Sequence, residues 1–219
     1  MAQWQKDNPH PSLEQVRTII EQVGQGLQAL HRSEILHQDI RPENIIIDHQ
    51  GRAKIIDLGS AYLAGVAQWS DPQQDAGLGT ALYAAPEYFV GQAVSEKSDL
   101  FSLAVLTYFL LSGRFPYGTK ISRCRTLTAM NKIGYQSLSD EKRSFPHWLD
   151  KTLAMALQPS PEKRYETLSE FLYDLRHPNP KHINSGTPML QRDPLRFWQT
   201  TCALLIFVII YLFYLLHAG

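Results

Sequence analysis

"LHQDIRPENIIIDHQGRAKIIDLGSA", Leu36 to Ala61, sets two polar clusters around two apolar runs. The first cluster holds Asp39, Arg41 and Asn44, and the second opens with Asp57. The runs "NIIID" and "RAKIID" are short and joined by "HQG", which predicts a small antiparallel hairpin. Pairing the runs brings the segment before the first one beside the segment after the second. Asp39 and Asn44 are thereby expected near Asp57, on one open face.

The chemistry of that cluster follows from its residue types. Asp57 and Asn44 offer hard oxygens, which suit a magnesium ion held partly by a substrate's phosphates. Asp39 is suited to accept or orient the proton of an attacking hydroxyl. Arg41 is suited to neutralise a phosphoryl group in transfer. Taken singly, a loop aspartate is far more often a turn former than a catalyst. Taken together, the residues follow the pattern H-x-D-x-x-x-x-N and then D-x-G, which is highly specific.

Working outward toward the N-terminus, Ser12 and Gln15 form an S-x-x-Q capping box behind Pro11. Val16, Ile19, Ile20, Val23, Leu27 and Leu30 follow at helical spacing, so a helix is expected from Ser12 to about His31. The start of the chain has no apolar core and is not a secretory signal. Acidic and basic side chains both number 21, and the resulting zero net charge removes the electrostatic argument for a nucleic-acid partner. Cys124 and Cys202 are far apart and give neither a disulfide framework nor metal-ligand spacing.

Toward the C-terminus, "HPNPKHINSGTPMLQRDPLR" breaks any periodic pattern and reads as a linker over residues 177–196. Residues 197–216, "FWQTTCALLIFVIIYLFYLL", carry no charge and as a helix would extend about 30 Å, the depth of a hydrocarbon core. Trp198, Tyr211 and Tyr214 lie toward the ends of the run. Lys181, Arg192 and Arg196 precede it and no lysine or arginine follows. The expectation is a single-pass transmembrane helix at the C-terminus, with the preceding domain in the cytoplasm.

The motifs together resemble a eukaryotic-type Ser/Thr protein kinase. His37-Gln38-Asp39-Ile40-Arg41-Pro42-Glu43-Asn44 looks like the family's catalytic loop, and Asp57-Leu58-Gly59 its magnesium-binding D-F-G, with Leu for Phe. "GTALYAAPE", Gly79 to Glu87, resembles the end of the activation segment. "SDLFSLAVLTYFLLSG", Ser98 to Gly113, resembles the central buried helix of the large lobe. Arg164 in "PEKRY" matches the arginine that pairs with the A-P-E glutamate, here Glu87. The likeness covers residues 1–176. It implies a mainly α fold: a protein-kinase-like large (C-terminal) lobe with a small β-hairpin, plus the C-terminal helix.

The resemblance also assigns roles. Asp39 is implied as the catalytic aspartate, assisted by Arg41 and by Thr80, which would steady Asp39. Asn44 and Asp57 are implied to hold Mg2+, and with Arg41 to engage ATP. Asp99 is implied to anchor the catalytic-loop backbone. The implied partner is a protein bearing Ser or Thr.

Three departures stand out. Gln38 replaces the usual arginine before the catalytic aspartate, and a neutral amide is a poor partner for an activation-segment phosphate. Arg41 replaces lysine, keeping the charge but not the shape. No G-x-G-x-x-G precedes Ser12, so the family's small lobe, which clamps the nucleotide, is expected to be absent from this chain. "MAQWQKDNP" itself resembles the helix after the inter-lobe hinge. The face that would meet a small lobe is expected to be apolar, bordered by Ile45, Ile47 and Ile56. Some bacterial kinases with C-terminal anchors lie behind a metal-dependent phosphatase domain, and the layout resembles theirs. A small-lobe or phosphatase-domain partner encoded upstream is therefore expected. Two functions stay open: a membrane-anchored kinase lobe that transfers the ATP γ-phosphoryl group once completed by a small lobe, or an inactive, pseudokinase-like binding module or gene fragment.

Overall fold

The structure is a computed structural model that describes residues 1–59, 61–63, 81–119, 126–140, 143–180 and 194–217. The chain divides into two compact units, Met1–Pro178 and Asn179–Gly219.

The first unit begins with a short helix, α1 (Ala2–Asp7), and a long one, α2 (Leu13–Arg32). The capping box forms at Ser12. Its hydroxyl accepts from Gln15 N at 3.2 Å, and Gln15 Oε1 accepts from Ser12 N at 2.8 Å. Val16, Ile19, Ile20, Val23 and Leu27 make the buried stripe, as their spacing requires, and Leu30 packs at its margin.

Two antiparallel pairs follow. β2 (Ile45–Ile47) and β3 (Ala53–Ile55) form the expected hairpin, with Ile45 opposite Ile55 and Ile47 opposite Ala53. Gly51, at φ +77°, closes its turn, and Asp48 Oδ1 accepts from Gln50 N and Arg52 N. The second pair is not anticipated by sequence: β1 (Ile35–Leu36) lies antiparallel to β4 (Tyr62–Leu63). Residues 37–44 therefore run between β1 and β2, and residues 56–61 between β3 and β4. Pairing at both ends makes the two polar clusters face each other.

The helical part is built around α4 (Glu96–Ser112), preceded by the short α3 (Pro86–Val90). Every residue of α4 from Ser98 to Tyr108 is buried. Such a helix, apolar on all faces, belongs at the centre of a core. Its buried hydroxyls bond back one turn, Ser102 to Ser98 O and Thr107 to Leu103 O, so no donor is stranded. It packs on α2, α6 (His147–Ala156) and α7 (Leu168–Arg176); α5 (Leu127–Ile133) lies beside α3. Where α2 meets α7, a Cβ on Gly24 would lie 2.6 Å from Leu172 Cδ1, so glycine sets that close approach.

In the second unit, α8 runs from Pro194 to His217, 24 residues, starting three residues ahead of the expected Phe197. Consecutive side chains from Leu204 to Ile209 are exposed. Among the described residues no helix is long and apolar enough to cross a membrane. The transmembrane helix expected over residues 197–216 is thus not found among them. The side chains of 194–197, 210 and 212–216 lie outside the description.

Candidate active site

The first cluster is a loop braced from below. Asp99, in the first turn of α4, is buried, and its carboxylate accepts from His37 N at 2.9 Å and Gln38 N at 2.8 Å. His31 Nε2 lies 2.9 Å from the same carboxylate. The central helix therefore grips the loop by its backbone, as expected of Asp99. The histidine brace is a residue that sequence reasoning missed; its only signal is a polar residue on the buried stripe of α2. His37 is itself fully buried, and its Nδ1 accepts from Asp39 N at 3.3 Å. The ring proton must then sit on Nε2, which is buried with no hydrogen-bond partner among the described residues.

The loop then turns through a 3-10 helix, Pro42–Asn44, and this closes Asn44 back on Asp39. Asn44 Nδ2 donates to Asp39 Oδ2 at 2.7 Å and to Asp39 O at 2.8 Å. Only the amide nitrogen can face a carboxylate, so Oδ1 is the end of Asn44 available to a cation. Ile56 N donates to Asn44 O at 2.9 Å, which extends the hairpin by one step. Asp57 follows immediately and is exposed, with φ +63°. Gly59 N donates to Asp57 Oδ1 at 2.9 Å, and a Cβ on Gly59 would come within 2.9 Å of that same oxygen. A side chain at 59 would therefore push the Asp57 carboxylate aside. Gln38, at φ +66°, is the site's second left-handed residue. Such backbone stores about 1–3 kcal/mol where the surroundings impose it, and it clusters at ligand sites.

Arg41 is paired: its Nε donates to Glu43 Oε2 at 2.7 Å. That hydrogen bond draws the Glu43 carboxyl below its ordinary value, against the opposing effect of burial, and raises the Arg41 guanidinium. Thr80 lies outside the described residues.

The parity of the hairpin decides which apolar side chains border this face. Ile45 is fully buried in the core, and Ile47 packs at the core's edge. Ile46 and Ile56 lie on the opposite face with Asn44, exposed by 50% and 38%, and Leu58 by 52%. The expected border of Ile45, Ile47 and Ile56 is corrected to Ile46, Ile56 and Leu58.

Glu87 and Arg164 meet as a buried fork, with Nη1 to Oε1 and Nη2 to Oε2 both at 2.8 Å. The remaining arginine donors reach Lys97 O, Pro159 O and Gln158 O, so all five are used. Ser98 Oγ donates to Glu87 Oε1 at 2.6 Å, and the guanidinium lies 4.7 Å from the centre of the Phe101 ring.

A brace from a central helix holds the loop, an asparagine holds the loop aspartate, and the D-x-G follows the Ile56–Asn44 pairing. The protein kinase domain model matches residues 1–175. The chain belongs to the protein kinase family. It is 33% identical over 171 residues to a probable serine/threonine-protein kinase PknB of Bifidobacterium longum. It is 28% identical over 169 residues to the serine/threonine-protein kinase PrkC of Bacillus subtilis, and 31% over 194 to Pkn1 of Myxococcus xanthus. These matches cover 75%, 76% and 82% of this chain, but 23%, 25% and 27% of the relatives. The chain thus spans about a quarter of the length of the curated relatives it matches.

Protein kinases use ATP and Mg2+, and the residues here fit that pair. Among the described residues, no group of three or more His, Cys, Asp or Glu side chains could hold a metal. An ion at Asn44 and Asp57 needs oxygens from elsewhere, which is the habit of magnesium bound through a nucleotide's phosphates.

Proposed function

We propose that this chain is the large, substrate-binding lobe of a Ser/Thr protein kinase, passing the γ-phosphoryl group of ATP to a protein hydroxyl when a small lobe completes it. The observation that carries the reading is the Asn44–Asp39 hydrogen bond, with the segment leading into Asp57 paired to Asn44 through Ile56 N. Asn44 engages one oxygen of Asp39, which leaves the other to accept or orient the hydroxyl proton. Arg41, two residues on, sets positive charge beside the incoming group. Asn44 and Asp57 hold the magnesium ion, which when bound neutralises charge on the phosphates. Ile46, Ile56 and Leu58 give an apolar floor for a base or a facing lobe. Thr80 belongs to the reading by family pattern.

The test fuses a bacterial Ser/Thr kinase small lobe ahead of Met1 and follows radiolabelled phosphate into a basic protein substrate. Transfer that Asp39→Asn abolishes supports the proposal. A fusion that binds nucleotide but transfers nothing contradicts it. That result favours the second reading, a binding module that uses the same exposed apolar face.

The reading also places the chain at a membrane. Its support is the run of exposed apolar side chains on α8 and the lysine and arginine residues that precede it. Those charges put the kinase unit on the cytoplasmic side. Deleting everything after Gln191 should move the protein from the salt-washed membrane fraction to the supernatant. A truncated chain that stays in the membrane fraction rejects the anchor.

A further inference from the structure

Position 41 is arginine where the family pattern has lysine, and the structure gives that change a use. Arg41 and Glu43 flank Pro42 at the start of the 3-10 turn, whose backbone is closed by Asn44 N donating to Arg41 O at 3.1 Å. Glu43 Oε2 takes the Arg41 Nε–H at 2.7 Å. The arginine side chain is 22% exposed and the glutamate 53%, so the pair leans on the loop with the carboxylate outward. A lysine has no inner N–H to be held this way; its donors all sit on one terminal nitrogen. Two braces therefore cross the same loop: Asn44 holds Asp39, and Glu43 holds Arg41.

We propose that Glu43 is a positioning residue for Arg41, holding the guanidinium by its inner nitrogen so that its charge keeps one place beside Asp39 while a phosphoryl group arrives. The inference rests on the kinase reading above. Holding the side chain in advance removes part of the rotamer freedom that a long cationic chain otherwise loses on engaging phosphate.

Two measurements test the pair separately from the reading. In the full chain labelled with 15N-arginine, the Arg41 Nε–H resonance, assigned by its loss in Arg41→Lys, should be sharp at neutral pH. It should shift and exchange faster in Glu43→Gln and in Glu43→Ala. A resonance indifferent to both overturns the brace, whatever the chain's activity. In the small-lobe fusion, Glu43→Gln should lower kcat about tenfold with KM for protein substrate unchanged, and should have less than about twofold effect in an Arg41→Lys background. Equal losses in both backgrounds, or a change confined to KM for basic substrates, would show that Glu43 acts on the substrate and not through Arg41. A fusion with no transfer at all would reject the kinase reading and leave the spectroscopic result to decide the brace.

Discussion

The Glu87–Arg164 pair and the Asp39–Asn44–Asp57 cluster are both made of charges and amides, yet they are built oppositely. The first is sealed from solvent, and every arginine donor has a partner. The second keeps Asp57 exposed and puts both Gln38 and Asp57 in left-handed backbone. Saturated polar groups in a core hold a structure in one arrangement. Partly satisfied groups on a strained, open loop are of the kind that clusters at ligand sites. A sealed pair and an open loop are thus separate features of this lobe, with α4 touching both: Ser98 reaches the Glu87–Arg164 anchor and Asp99 the loop.

That separation breaks if the anchor is dispensable. Glu87→Ala leaves the Arg164 charge buried and unpaired, and should cost about 3–5 kcal/mol in chemical denaturation. Asp57→Asn, by contrast, should stay within about 0.5 kcal/mol of the wild type, because its side chain is exposed. Equal losses in the two variants would erase the distinction.

Tyr88, on α3, sharpens it. Among the described residues its buried hydroxyl has no hydrogen-bond partner, and burial first, then the nearby Asp99 and Glu87 charges, raise it well above its ordinary value of 10.0. A group whose folded value is raised contributes stability that is complete below the unfolded value and is lost as pH rises past it. The wild type should therefore weaken above about pH 10 by up to about 1.4 kcal/mol per pH unit relative to Tyr88→Phe. At neutral pH the phenylalanine variant should be more stable by about 1 kcal/mol, since it removes an unpaired hydroxyl. Parallel pH profiles of the two proteins would show that the hydroxyl is solvated.

The smallest effect on stability should come from Gly59→Ala. Among the described residues its Cβ meets the Asp57 carboxylate alone, at 2.9 Å, so the melting temperature should hold while magnesium-dependent nucleotide binding falls. Normal binding in that variant would mean that the Asp57 carboxylate can move without consequence.

Much of this was legible in the sequence where a local rule decides geometry. The Ser12 box, the α2 stripe and the spacing from Asp39 to Asn44 all act within a turn or two of the chain. The parity of "NIIID" was not legible, because three identical isoleucines carry no alternation to say which faces the core. Ile46 was hidden by that, and Ile45 was put on the wrong side. The β1–β4 pair was missed for a related reason: a strand of two residues has no period. His31 was missed because a polar residue on a buried stripe gives no hint of which distant carboxylate it will meet. Arg164 was found from the family pattern, yet its five bonds come from loops whose approach no spacing reveals.

The central claim is that Asn44 and Asp57 form the cation end of a nucleotide site, and paramagnetic relaxation tests it most directly. Mn2+ with ATP, added to the 15N-labelled chain, should broaden the Asn44 side-chain amide and the backbone resonances of residues 56–59 first, and Asp57→Asn should remove the effect. Broadening that begins elsewhere, or that survives Asp57→Asn unchanged, would contradict the account.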